Sequence, residues 1–74
     1  MTYFRLRENE EFIKLGQLLK ALNLVSSGVE GKNVILEGEV KVNGEVCLMR
    51  GKKLHKGDRV SFRDETAEIT ADDL

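Results

Sequence analysis

The chain has no proline and no tryptophan, and only one cysteine and one histidine among its 74 residues. Without proline, no turn is set by a pyrrolidine ring. A lone cysteine excludes an internal disulfide and fits a reducing compartment. Cys47 lies between Val46 and Leu48 and reads as a small strand residue, because no histidine or asparagine pattern surrounds it to make a nucleophile. His55 sits between Lys53 and Lys56, and Asp58 belongs to a Lys-Gly-Asp turn, so no orienting carboxylate is assigned to make a general base. One cysteine and one histidine cannot complete a tetrahedral metal site, and the phosphate-cradling loops of dinucleotide and P-loop proteins are absent. Catalysis, metals and organic cofactors are therefore not expected. No apolar run approaches the ~18 residues of a membrane span, and Met1-Thr2-Tyr3-Phe4-Arg5 lacks the apolar segment of a signal peptide. The expectation is a soluble, cytoplasmic, monomeric protein.

A chain of this length makes one small domain, taken here as residues 1–74 with its core between 12 and 62. Such a core yields about 3–5 kcal/mol of net stability. A net charge of −1 does not by itself point to a nucleic acid, but the charge is unevenly distributed. Between Val46 and Arg63, Arg50, Lys52, Lys53, Lys56, Arg59 and Arg63 face only Asp58. The tail then reverses sign with Asp64, Glu65, Glu68, Asp72 and Asp73. This is either a cationic face with an acidic tail pointing elsewhere or a self-compensating solvated surface.

Apolar periodicity predicts two short helices and several short strands, hence a mix of α and β elements. Thr2 to Arg7 alternates as a short strand. Asn9, with Glu10 and Glu11, is expected to open a helix whose leucine stripe runs Phe12, Leu15, Leu19, Leu22, with Lys14, Gln17 and Lys20 on the other face. Gly16 within it suggests close approach by another element. Ser27 and Glu30 have capping-box spacing for a second helix ending at Gly38. Val40 and Val42, the Asn43-Gly44 turn, then Val46 and Leu48 predict a hairpin. A two-residue loop would put Val46 on the face opposite Val42, so one bulge or irregularity is expected there. Val60 and Phe62 mark another strand after Lys56-Gly57-Asp58, Ala67 and Ile69 a short last one. Residues 70–74 are expected to fray.

Three features favour an anionic polymer as partner. Ser27 and Gly28 offer helix N-terminal amides, Lys32 lies about one turn later, and Arg50-Gly51-Lys52-Lys53 adds point charges on a pliable loop. Phe4, Phe12, Phe62 and Tyr3 all sit in core-like patterns and leave no aromatic pair to stack bases. Structured RNA read by shape and backbone is therefore favoured over single strands.

The order of these elements, with Lys14-Leu15, Ser27 to Lys32, Gly38-x-Val40-x-Val42-Asn43-Gly44 and Lys56-Gly57-Asp58-x-Val60, resembles the S-four RNA-binding domain, named after the fourth small-subunit ribosomal protein. The resemblance runs from Phe12 to Phe62 and is strongest to the small stand-alone bacterial members. It implies an αL-type RNA-binding fold, α+β with two short helices packed on a small, mostly antiparallel sheet, and contact with ribosomal or transfer RNA through the start of the second helix and the neighbouring loops. Lys14 and Lys32 stand where many members carry arginine, and Ser27 matches. Gly28 and Gly16 replace a basic residue and an aspartate. The pseudouridine synthase and tyrosyl-tRNA synthetase modules to which the domain is often fused are not expected.

The site so assigned comprises Ser27, Gly28 and Lys32 holding a phosphate at the helix end, with Lys14, Lys41, Arg50, Lys52, Lys53 and Lys56 along the backbone and Asn43 reaching a sugar or base edge. Two competing readings stand beside it. One is a protein-interaction adaptor on a ribosomal or replication partner, which the net acidity favours. The other is a helix-turn-helix on duplex DNA, which Glu30 and Glu37 disfavour.

Overall fold

A computed structural model describes residues 1–71. Strand β1 (Thr2–Leu6) is followed by β2 (Ile13–Lys14), α1 (Leu15–Ala21), α2 (Gly28–Leu36), β3 (Val40–Val42), β4 (Glu45–Val46), β5 (Lys53–Leu54), β6 (Arg59–Phe62) and β7 (Glu65–Ala71). Five strands form one sheet in the order β1-β7-β6-β3-β4, antiparallel except for the β1–β7 pair, while β2 and β5 form a separate antiparallel pair. The two-helix, mostly antiparallel α+β architecture is the one expected.

Helix α2 follows its local signals. The Ser27 hydroxyl accepts from the Glu30 amide at 3.1 Å, and Gly38, at φ 78°, takes the left-handed conformation after the helix stops. The Glu30 carboxylate reaches back past the cap to accept from the amide and hydroxyl of Ser26. Helix α1 does not follow its local signals. Asn9 lies in a turn closed by Glu10, and the helix begins only at Leu15, with Lys14 as an N-cap that makes no side-chain bond. Its first two amides are satisfied from outside: Leu15 N–H donates to the Lys52 carbonyl and Gly16 N–H to the Arg50 carbonyl, both at 2.9 Å. Residues 50–52 therefore do for this helix what a side-chain cap does for others.

The hairpin is regular. Asn43 and Gly44, at φ 52° and 87°, make a two-residue turn that pairs Val42 with Glu45 and Lys41 with Val46. No bulge brings Val46 inward; it is 52% exposed, the strand ends there, and Leu48 is also exposed. The alternation that suggested an irregularity was that of residues leaving the sheet.

The core is shared between the layers. Leu15, Leu18 and Leu19 from α1 and Ile35 from α2 are fully buried with Val40, Leu54 and Ile69, each larger side chain contributing about 1.5–3 kcal/mol. Leu6 on edge strand β1 and Ile69 on its neighbour β7 belong to it, so the first and last strands in sequence close the core as well. Fraying does not begin at residue 70: Thr70 and Ala71 pair with Arg5 and Leu6, and β7 is the longest strand. The rest of the acidic tail, 72–74, lies outside the described residues. Two aromatics assigned to the core are elsewhere. Tyr3 is 63% exposed. Phe12 stands outside the core cluster, beneath the Lys53 ammonium and beside His55.

Candidate nucleic-acid interface

The two helices cross where side chains are smallest. A Cβ on Gly31 would meet Val25 Cγ2 at 3.5 Å and the Gly16 carbonyl at 3.8 Å, so Gly31 brings the start of α2 close to the start of α1. The Arg50 carbonyl anchored on Gly16 lays the 50–52 loop against the same point. Between the three segments runs a groove of about 330 Å³, lined by Lys14, Gly16, Gln17, Lys20, Gly28, Lys32, Arg50 and Gly51.

Its composition is one-sided. Four cations line it, no carboxylate does, and three glycines leave backbone uncovered. None of Lys14, Lys20, Lys32 and Arg50 forms an ion pair with a carboxylate among the described residues. Four like charges around one concavity repel one another and form no stabilising network, and their summed positive potential is complementary to an anion. Gly28 and Gly51 border open space, where an added Cβ would touch nothing within 4 Å.

Of the residues assigned from sequence, Lys14, Gly28, Lys32 and Arg50 meet in this groove. Ser27 lies next to them as the α2 cap, its oxygen accepting from the Glu30 amide while its O–H and a second lone pair stay available. Lys52 and Lys53 face a second concavity beyond Gly51. Lys41 is on the solvent face of β3, opposite the buried Val40 and Val42, and Lys56 occupies the 55–58 turn; neither lines the groove. The sequence reasoning missed Gly16, Gln17, Lys20 and Gly51. The three-residue stripe Lys14, Gln17, Lys20 was visible as the polar face of α1, and it is one wall of the groove.

Asn43 also has a role within the fold. Its amide nitrogen donates to Asp58 Oδ1 at 3.1 Å, and its side-chain oxygen accepts from the Arg59 amide at 2.9 Å. Asp58 Oδ2 in turn accepts from the His55 amide at 2.7 Å. The hairpin tip is thus tied to the 55–59 turn, with one amide hydrogen and one lone pair of Asn43 engaged within the fold. Burial pushes the Asp58 carboxyl upward, but the His55 amide, the Asn43 side chain and the charges of His55 and Lys52 outweigh it and hold it below its ordinary value.

Comparison with known proteins identifies the family and the fold. The S4 domain model matches residues 4–70. The chain is 46% identical over 52 residues to the probable ribosome maturation protein RlbA of Bacillus subtilis (strain 168), covering 70% of this chain and 73% of that protein. It is 36% identical over 59 residues to YbcJ of Escherichia coli (strain K12), covering 80% and 84% respectively. The solution structure of YbcJ, described as revealing an αL motif involved in RNA binding, superposes with a TM-score of 0.71 at 34% identity. That alignment covers 96% of this chain and 89% of that one.

Proposed function

The chain belongs to the S4 domain family, and on that footing we propose that it is a non-catalytic RNA-binding module that docks its groove on the backbone of structured RNA. The single observation that carries this reading is the gathering of Lys14, Lys20, Lys32 and Arg50, unpaired among the described residues, around a glycine-floored groove. Phosphates satisfy such a groove, and the glycines let a sugar–phosphate chain approach the helix ends. The ribosome maturation name of one relative and the RNA-binding motif described for the other support ribosomal RNA as the first target, with transfer RNA second. The protein acts as a monomer in the cytoplasm on this reading.

The test is an anisotropy titration against a ribosomal RNA hairpin at about 50 and 200 mM salt. Neutralising about four phosphates gives a slope of log affinity on log salt of about −3 to −4, so binding should weaken about 100-fold between the two. Affinity indifferent to salt would overturn the reading. It would favour instead an adaptor that binds a protein through the exposed Val46, Leu48 and Met49.

A further inference from the structure

The groove does not end at Arg50. Gly51 borders it and also borders a second concavity, of about 510 Å³, lined by Asn43, Met49, Lys52, Lys53, His55 and Asp58. Nothing in the fold requires glycine at this saddle. Its φ lies outside the left-handed region, and an added Cβ would meet no atom within 4 Å. What the missing side chain provides is clearance between the two concavities.

The second concavity differs in chemistry from the first. Met49 forms an apolar wall that is 66% exposed, with no core packing to explain it. Next to His55 stands Phe12, the ring centroids 6.1 Å apart and the planes tilted by 50°, and the Lys53 ammonium rests 4.9 Å from the Phe12 centroid. This is the aromatic pair that the sequence pattern did not disclose. The charges are also ordered: Lys52 and Lys53 are cationic, whereas Asp58, half-buried and hydrogen-bonded to Asn43 and the His55 amide, places a fixed negative charge in the lining. A phosphate seated against Asp58 would be repelled. A base would not, and its phosphate would stay beside the lysines.

We propose that this concavity receives one unpaired nucleotide of the bound RNA, its backbone crossing at Gly51, its base stacked against Met49 and His55, and its phosphate held by Lys52 and Lys53. The proposal rests on the RNA-binding reading and narrows its substrate class to a stem that carries a bulged or flanking unpaired nucleotide. Sequence-tolerant stacking on an aromatic or apolar wall is worth about a 10-fold gain in affinity for one base.

The test uses two hairpins with one stem, fully paired or carrying a single 2-aminopurine bulge. The wild-type protein should bind the bulged hairpin about 10-fold tighter and quench the 2-aminopurine fluorescence. A Met49→Ser, His55→Ala double variant should lose that preference and the quenching while binding the paired stem as before. Both residues are exposed, so its melting temperature should stay at the wild-type value. Phe12→Leu, which keeps apolar volume but removes the ring, should reduce the preference by a smaller factor. Equal affinity of the wild type for both hairpins, or a preference that survives the double variant, would overturn the proposal and leave the groove reading intact. Binding to neither hairpin would overturn both.

Discussion

The groove and the Asn43–Asp58 tie are built on opposite plans. Along the groove, four cations have no ion-pair partner among the described residues, and their positions come from three separate segments. In the tie, every polar group invoked is hydrogen-bonded to another, across the two loops that held the most specific motif in the chain. The contrast teaches that the sharpest motif here records a structural necessity. An asparagine at φ 52° beside Gly44, bonded to an aspartate after Gly57, admits few substitutes. A cation facing a phosphate needs only charge and reach, so arginine and lysine both serve and the spacing is loose.

The largest effect that would break this comparison is on the groove side. Reversing Lys14, Lys32 and Arg50 together to glutamate should weaken RNA binding by about 100-fold or more at moderate salt. The melting temperature should move by no more than about 3 °C, because exposed charges without partners contribute little to the fold. Anisotropy and circular dichroism melting on the same samples would check both halves. The Lys52→Glu, Lys53→Glu pair, off the groove, should cost less on a fully paired stem. A larger loss from the pair than from the triple would move the site to the loop.

The complementary change removes the tie. Asn43→Ala loses two hydrogen bonds, worth about 1 kcal/mol in sum at an exposed site, and places an ordinary residue in the left-handed region at a cost of about 1 kcal/mol. For a domain of this size the sum lowers the melting temperature by about 10 °C. Asn43→Gly, which tolerates the positive φ, should lower it by about half as much. In both variants the folded protein should bind a paired stem within about 2-fold of wild type, since the groove is untouched. Lost affinity without lost stability would show that Asn43 touches RNA after all.

How far the sequence could be read follows the same division. Helix α2 was legible because Ser27, Glu30 and Gly38 act on their own neighbours. The start of α1 was not, because its first amides are held by carbonyls of Arg50 and Lys52, and no local signal carries a bond to a distant loop. The turn at Asn43-Gly44 was legible, but the fate of Val46 was not. Period-two alternation cannot distinguish an inward strand from one that ends two residues past its turn. In the site, each cation was visible in isolation. Their convergence depends on how α1 and α2 cross at Gly16 and Gly31, and the conflict of Phe12 with its core assignment depends on the same displaced helix start.

The smallest effect tests the tie through its one perturbed acid. Asp58 is held below its ordinary value in the folded protein, so it binds its proton more weakly there than in the unfolded chain, where aspartate titrates near about 3.9. Its stabilising contribution is therefore complete above that value and is lost as the pH falls through the lower folded value. The group is partly exposed, so solvent screening keeps the contribution small. Between about pH 5 and pH 3 the wild-type protein should lose slightly more in melting temperature than Asp58→Asn, which has no carboxyl there to titrate. The other carboxylates titrate in both proteins and cancel in the difference. An Asp58→Asn protein that loses as much as wild type would mean that the carboxylate adds nothing as an anion, and that the tie holds the hairpin tip through neutral hydrogen bonds alone.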